Sequence, residues 1–196
     1  MGDDYPLTGI ILAGGEGARM GGNDKGWIEL KGTALIERVV ARITPQVSSC
    51  IISANRHLDR YRQLSVPVVS DPEVYLGPLA GIASALQHSP TEYALIVPTD
   101  APLVPLDLAT RLKQALPADL VICDDGERLQ PLFGIYRRSL LPSIETFLQS
   151  GQRQLTRWCL AQNPKIVTIR DTLAFANLNT PDELENIQRY LDNPQA

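Results

Sequence analysis

Short, continuous apolar runs alternate along the first half of the chain with segments in which apolar residues recur every three or four positions. Runs at residues 8–13, 50–54, 67–70 and 93–97 predict strands that are buried on both faces, as the strands of parallel sheets are. The run at 93–97 is the most continuous of the four. We therefore expect it to form the central strand.

The segments between these runs predict helices. Apolar residues recur at helical spacing over 35–43, where Pro45 ends the helix, and over 78–88. Thr180, Pro181 and Glu183 have the features of a helix start, with Thr as N-cap, Pro at the first position and Glu at the third. Further helices are predicted over 106–116 and 140–148, and further strands over 120–123, 132–136 and 166–169.

Alternation of strands and helices predicts an α/β protein in which helices cover both faces of a mostly parallel sheet, giving three α/β/α layers. No linker, repeat or low-complexity segment divides the 196 residues. We therefore predict a single domain over 1–196. In this architecture ligands bind at the carboxyl ends of the strands.

The charge and composition narrow the choice of partners. A net charge of −4 provides no overall attraction for nucleic acid or an anionic membrane, so we expect binding to neither. No apolar run approaches the roughly 20 residues that span a bilayer, and the acidic N-terminus is unlike a secretory signal. The three cysteines are widely spaced and lack metal-type spacing, which favours a reducing cytoplasm.

A glycine-rich loop follows the first predicted strand. Glycine lets the backbone approach a ligand closely and turn its N–H groups toward an anion. Arg19 and Lys25 can neutralise phosphate charge within the same loop. The loop thus predicts phosphate binding, and the alternative is a flexible surface loop. Its five glycines are Gly14, Gly15, Gly17, Gly21 and Gly22.

The spacing of this loop excludes two better-known phosphate-binding motifs. A P-loop has Lys directly after its last glycine, whereas Asn23 follows Gly22 here. The dinucleotide fingerprint needs a helix that begins inside the loop, and residues 21–24 are a poor helix opening.

The loop resembles the signature of the molybdenum cofactor guanylyltransferases (MobA), a family of nucleotidyltransferases with a Rossmann-like fold. The likeness runs from residue 12 to residue 181. It includes Leu12-Ala13-Gly14-Gly15, Arg19-Met20-Gly21, Asp24-Lys25-Gly26, Ala54-Asn55-Arg56, Asp71, Gly77-Pro78-Leu79-Ala80-Gly81, Pro98-Thr99-Asp100-Ala101-Pro102 and Asn177-Leu178-Asn179-Thr180-Pro181.

The resemblance implies transfer of GMP from MgGTP to molybdopterin that carries molybdenum, giving the guanine dinucleotide cofactor and pyrophosphate. Arg19, Lys25 and Asp100 would be catalytic. Asp100 would hold Mg²⁺, a cation that takes one or two carboxylates together with phosphate oxygens. A turn or N-cap role is the alternative for Asp100, and an ordinary turn start is the alternative for Asp71.

The resemblance assigns about residues 7–105 to the nucleotide and the remainder mainly to the pterin. Gln130, Pro131 and Asn179 would face the pterin, while Arg153 and Arg157 would meet its phosphate or form a solvated basic helix face. The nucleotide-binding residues would be Leu12, Ala13, Gly14, Gly15, Lys25, Ser53, Asn55, Asp71, Gly77, Pro78, Gly81 and Asp100.

One residue departs from the family pattern. Some members carry Asn at the position of Ser53 and contact the nucleotide with it, and a serine lacks the paired donor and acceptor of a carboxamide. Asn55 could contribute instead. The base therefore stays open, and the alternatives are a molybdopterin cytidylyltransferase, another small nucleotidyltransferase, or a non-catalytic nucleotide-binding module. Transfer of the product implies transient contacts with other proteins of molybdenum cofactor synthesis and with molybdoenzymes.

Overall fold

A central sheet organises the described part of the chain, which in this computed structural model comprises residues 5–13, 24–71, 77–178 and 180–192. Its order is β5-β4-β1-β6-β8-β7-β9, and β2 and β3 form a separate hairpin. Along the chain the strands are β1 (Leu7–Leu12), β2 (Glu29–Leu30), β3 (Thr33–Ala34), β4 (Ser49–Ser53), β5 (Val68–Val69), β6 (Tyr93–Pro98), β7 (Leu120–Asp124), β8 (Leu129–Arg137) and β9 (Lys165–Thr168).

All strands of the described sheet except β8 run in the same direction. The pairs β1–β4, β1–β6, β4–β5 and β7–β9 are parallel, whereas β8 is antiparallel to both β6 and β7. The predicted central position of the run at 93–97 is confirmed, because β6 is the fourth strand of seven. We call the edge at which β1, β4 and β6 end, at Leu12, Ser53 and Pro98, the carboxyl edge.

Helices cover both faces of this sheet, and none in the described chain is long and apolar enough to cross a membrane. A short 3₁₀ helix, Lys25–Trp27, precedes the hairpin. The α-helices are α1 (Leu35–Ile43), α2 (Leu58–Arg62), α3 (Pro78–Gln87), α4 (Leu108–Lys113), α5 (Leu141–Gln149), α6 (Leu155–Ala161) and α7 (Pro181–Asp192).

The two faces of the sheet carry separate apolar clusters. Successive side chains of a strand point to opposite faces, so Ile11 packs with residues of α1, α2 and α4, whereas Ile10 packs with residues of α3, α5 and α6. Burial of one such side chain contributes roughly 1.5–3 kcal/mol. The predicted three-layer α/β/α arrangement with a mostly parallel sheet is confirmed.

The predicted start of the last helix is also confirmed. The backbone N–H of Glu183 donates to Oγ1 of Thr180 at 3.3 Å, and the N–H of Thr180 donates to the Glu183 carboxylate at 2.9 Å. This reciprocal capping satisfies two donors that a helix start otherwise leaves unpaired. Ile187 then packs α7 against Leu30 and Leu178.

Several elements differ from the sequence prediction. The predicted helix over 106–116 narrows to α4, which turn residues follow, and Pro117 accounts only for the non-helical geometry of Leu116 directly before it. The β2–β3 hairpin, α2 and α6 were not predicted, since each is too short for a clear period. β8 runs antiparallel because only four residues, 125–128, connect it to β7, too few for a crossover.

Candidate functional site

Backbone hydrogen bonds tie together the strand ends at the carboxyl edge. Register places Leu12 opposite Ser53 on one side and Pro98 on the other. Beyond the strands, the N–H of Ala13 donates to the carbonyl of Ser53 at 2.7 Å, and the N–H of Thr99 donates to that of Leu12 at 3.0 Å. The predicted nucleotide residues Leu12, Ala13 and Ser53 are therefore neighbours.

Lys25 and Asp100 meet at this edge. Nζ of Lys25 lies 3.1 Å from Oδ2 of Asp100, and the two side chains are only 18% and 15% exposed. The backbone carbonyl of Asp100 accepts a hydrogen bond from the N–H of Leu178 at 2.8 Å, which brings the C-terminal segment to the same place. The remaining predicted loop residues Gly14, Gly15 and Arg19 lie outside the described residues.

The residue before Lys25 is held by hydrogen bonds from two directions. Oδ1 of the buried Asp24 accepts from the backbone N–H of Gly26 at 3.1 Å and from the hydroxyl of Tyr61 at 2.6 Å. Burial raises the pKa of Tyr61 well above its ordinary value, and the hydrogen bond to Asp24 raises it further. The Tyr61 hydroxyl therefore stays protonated and donates.

Asn55 and Asp71 form a reciprocal pair. Nδ2 of Asn55 donates to Oδ2 of Asp71 at 2.9 Å, and the backbone N–H of Asp71 donates to Oδ1 of Asn55 at 2.8 Å. Oδ1 of Asp71 is buried and has no hydrogen-bond partner among the described residues. Burial raises the pKa of the Asp71 carboxyl, and the bond from Asn55 opposes that shift.

Gly81 brings the start of α3 against Ser53 and Asp71. A Cβ at Gly81 would lie 2.9 Å from Oγ of Ser53, 3.4 Å from Cδ2 of Leu12 and 3.9 Å from Oδ1 of Asp71. Real Cβ contacts are almost never as short as the first of these, so a side chain here would displace Ser53. The four residues thus line one small region at the carboxyl edge.

Gly77 and Pro78 begin α3. Gly77 has a φ of +82°, which glycine adopts without strain, and a Cβ there would meet nothing within 4 Å. Glycine is therefore required at position 77 by the positive φ, and not because a side chain would lack space. Pro78 occupies the first helical position, where its missing N–H costs nothing.

The predicted pterin residues take part in contacts within the protein. Nε2 of Gln130, which is buried, donates to the carboxylate of Asp125 at 2.7 Å. The carbonyl of Pro131 accepts from the hydroxyl of Tyr136 at 2.6 Å. Both residues lie near the start of β8, which begins at the same edge as the ends of its neighbours. Asn179 lies outside the described residues.

The two basic residues considered for the pterin phosphate differ in surroundings. The guanidinium of Arg153 donates to the backbone carbonyls of Leu148 at 2.6 Å and Gln152 at 2.7 Å. Arg157 is exposed on α6. Arg153 therefore stabilises the connection after α5.

Few side chains among the described residues could bind a metal ion. The described residues contain no group of three or more His, Cys, Asp and Glu side chains that could hold a metal. Asp100 supplies one carboxylate, next to the ammonium of Lys25. A single carboxylate fits Mg²⁺ that is bound mainly through phosphate oxygens of a nucleotide, and it does not fit a metal caged by protein alone.

Sequence reasoning missed Tyr61. The segment Asp24-Lys25-Gly26 was recognised as part of a signature, but only for its lysine. Tyr61 lies in α2, whose five residues show no distinct period. The one available signal was a large aromatic residue in a polar segment, because tyrosine is often buried and its hydroxyl then needs a hydrogen-bond partner.

A family model described as the MobA-like NTP transferase domain matches residues 9–165. A molybdenum cofactor guanylyltransferase from Shewanella sp. strain MR-4 is 41% identical over 186 residues, which cover 92% of this chain and 94% of that protein. The chain belongs to the MobA-like NTP transferase family. A second molybdenum cofactor guanylyltransferase, from Shewanella halifaxensis, is 39% identical and covers 95% of this chain and 96% of its own.

Solved structures agree on the fold of the family. Molybdopterin-guanine dinucleotide biosynthesis protein A from Archaeoglobus fulgidus superimposes with a TM-score of 0.77 at 23% identity, over 95% of this chain and 99% of that one. A nucleotidyl transferase from Methanothermobacter gives a TM-score of 0.81 at 16% identity, over 98% and 100%. At these identities the structures show the shared nucleotidyltransferase fold. The family membership makes the chain a nucleotidyltransferase.

Proposed function

We propose that this MobA-like protein transfers GMP from MgGTP to molybdopterin that carries molybdenum, forming molybdopterin guanine dinucleotide and releasing pyrophosphate. The names of relatives at about 40% identity over more than nine-tenths of the chain support this reaction. The structural observation that supports it is the Lys25–Asp100 pair, because a cation suited to phosphate lies beside a carboxylate suited to a metal ion at the carboxyl edge.

The described residues suggest where the nucleoside would lie. Leu12, Ser53 and Asp71 lie close around Gly81 at the carboxyl edge, and we assign the nucleoside to this region. The unpaired Oδ1 of Asp71 is an acceptor, and guanine N–H groups or a ribose hydroxyl are suitable donors. Asn55 would act on the nucleotide through Asp71, since its side chain is paired with that residue.

The chemistry is displacement at the α-phosphorus. An oxygen of the pterin phosphate forms a bond to this phosphorus while the bond to the pyrophosphate oxygen breaks, so negative charge collects on the pyrophosphate. Lys25 would neutralise that charge, and the predicted contribution of Arg19 has the same basis. Orientation and charge neutralisation supply the catalysis, and no protein nucleophile is needed.

Asp100 would hold the magnesium ion. When bound, Mg²⁺ supplies charge neutralisation and polarises the phosphate oxygens. The single mostly buried carboxylate fits this ion, because the nucleotide's phosphates and water complete its six ligands. On binding of MgGTP, Lys25 and Asp100 would each exchange their present partner for an opposite charge on the substrate.

The remaining assignments extend the same proposal. Residues of about 7–105 would bind the nucleotide, and the rest of a single domain over 1–196 would mainly serve the pterin, including Gln130, Pro131 and Asn179. The three cysteines are unpaired thiols, which suits a reducing cytoplasm. Transfer of the product would involve brief contacts with other cofactor-synthesis proteins and molybdoenzymes.

The test is turnover of purified protein with molybdenum-loaded molybdopterin and Mg²⁺, using GTP, CTP, ATP and UTP in parallel. We expect dinucleotide and pyrophosphate with GTP, and loss of both when the metal is removed by a chelator. Robust turnover with CTP and none with GTP would overturn the guanylyl assignment. Unchanged turnover in both Lys25→Ala and Asp100→Ala would show that the proposed site is wrong.

A further inference from the structure

The hydroxyl of Tyr61 reaches the segment that carries Lys25 from a distant part of the chain. It donates to Oδ1 of Asp24 at 2.6 Å across 37 positions, and both side chains are buried. Oδ2 of Asp24 is buried without a hydrogen-bond partner among the described residues. The carboxylate therefore depends on Tyr61 for one of its two described hydrogen bonds, the other coming from Gly26.

Gly26 provides the space that this contact needs. A Cβ at Gly26 would lie 2.4 Å from the hydroxyl oxygen of Tyr61, and 3.2 Å from the ring carbon that bears it. The hydroxyl is thus the atom that excludes a side chain. In the family signature Asp24-Lys25-Gly26, both neighbours of the lysine face Tyr61. Asp24 accepts its hydrogen bond, and Gly26 leaves room for its hydroxyl.

The aromatic residue after Gly26 completes the attachment. The ring of Trp27 lies 5.1 Å from that of Tyr61, centroid to centroid, and the guanidinium of Arg60 stacks 3.9 Å from the centroid of the Trp27 ring. α2 therefore holds the chain before Lys25 through Asp24 and after it through Trp27. The backbone of Lys25 is fixed from both sides, which sets where its ammonium can reach.

We propose that Tyr61 is a positioning residue for nucleotide transfer: through Asp24 and Gly26 it holds Lys25 where its ammonium meets Asp100 and the incoming phosphates. This inference rests on the proposed function for the identity of the nucleotide. In this role Tyr61 acts through Asp24 and not by contact with the substrate or the metal. Its hydroxyl satisfies a buried carboxylate, and loss of such a bond leaves the acceptor underpaired, so the segment shifts to find another donor.

The direct test is Tyr61→Phe, which removes only the hydroxyl. We expect the affinity for MgGTP, and kcat/KM for GTP, to fall about 10- to 100-fold, the range for a lost hydrogen bond to a charged group. Tyr93→Phe is the matched control, because Tyr93 is also buried and its hydroxyl bonds only to the carbonyl of Pro117 at 3.4 Å among the described residues. It should retain wild-type affinity and turnover.

A second measurement separates positioning from general loss of structure. In a Lys25→Ala background, Tyr61→Phe should change GTP affinity by less than about twofold, because the group that Tyr61 positions is already gone. An undiminished effect in that background would overturn the proposal. Thermal unfolding of each variant confirms that the affinities are compared between folded proteins.

The third measurement uses the close approach at Gly26. Gly26→Ala should weaken GTP binding strongly, and adding Tyr61→Phe should restore part of it, because the nearest contact of the new methyl group relaxes from 2.4 to about 3.2 Å. If the double variant instead binds GTP more weakly by the product of the two single effects, the proposed contact is wrong.

Wild-type protein that binds GTP without transferring GMP would refute the proposed function alone, since the binding measurements still decide the role of Tyr61.

Discussion

Nζ of Lys25 lies 3.1 Å from Oδ2 of Asp100, although the two residues are 75 positions apart in the sequence. Both side chains are mostly buried, so water screens their attraction less than it does for surface pairs. The ammonium of Lys25 is opposite in charge to a triphosphate, and the carboxylate of Asp100 is opposite in charge to Mg²⁺. The pair therefore keeps two mostly buried charges neutralised, and in the proposed reaction MgGTP would provide the alternative partners.

Asp100→Asn should reduce kcat/KM for GTP by about 100-fold or more, because the neutral amide neither binds Mg²⁺ as a carboxylate does nor balances Lys25. Steady-state assays over a range of Mg²⁺ concentrations measure this effect. Asp192→Asn is the matched control, since Asp192 also pairs with a lysine, Lys31, but on the exposed surface. If Asp100→Asn were as active as Asp192→Asn, the assignment of Asp100 to the metal site would be wrong.

Asp71→Asn should weaken GTP binding. Its stability relative to the wild type should be greater at neutral pH than at acidic pH. The folded protein holds the Asp71 proton more tightly than the unfolded chain does, because burial raises the pKa of this carboxyl above its ordinary 3.8. Deprotonation therefore costs folding free energy as the pH rises through and above that value. The asparagine avoids this cost.

Denaturant unfolding of wild type and Asp71→Asn from pH 3.5 to 7 checks that prediction. The stability of the wild type relative to the variant should fall as the pH rises, and then level off above the raised pKa. A difference that does not change with pH, or one that changes in the opposite direction, would contradict a carboxylate that is kept for binding at the expense of stability.

Gly81→Ala should lower GTP affinity by about tenfold without unfolding the protein, since its new methyl group would lie 2.9 Å from Oγ of Ser53. Ser53 would have to move within the region that we assign to the nucleoside. Adding Ser53→Ala removes the crowded oxygen, so calorimetric titration should show the double variant binding better than Gly81→Ala alone. Failure to recover would indicate that Ser53 itself is essential for the base.

Thr180→Ala should reduce the free energy of unfolding by about 1 kcal/mol, the usual cost of losing an N-cap hydroxyl. The bond lost is the one from the N–H of Glu183 to Oγ1 of Thr180. Thr180→Ser keeps an oxygen at that position and should stay within about 0.5 kcal/mol of the wild type. Chemical denaturation followed by circular dichroism measures both variants.

The sequence by itself determined the layers of this fold and the chemistry of its loop. The strands β1, β4 and β6 appear in the sequence as continuous apolar runs, and α1 appears as a periodic stripe because only one side of it is buried. The capping of α7 at Thr180 could also be predicted from the sequence, because the unpaired N–H groups of a helix start are bonded by residues within one turn. These features depend on neighbours in the chain.

Only the tertiary structure decided which residues meet. The direction of β8, the pairing of Asn55 with Asp71 and the contact of Lys25 with Asp100 all join parts of the chain that local patterns do not relate. Tyr61 is the clearest case, since nothing near it in the sequence points to Asp24. Strand order determines such pairs, because it decides which loops meet at the carboxyl edge.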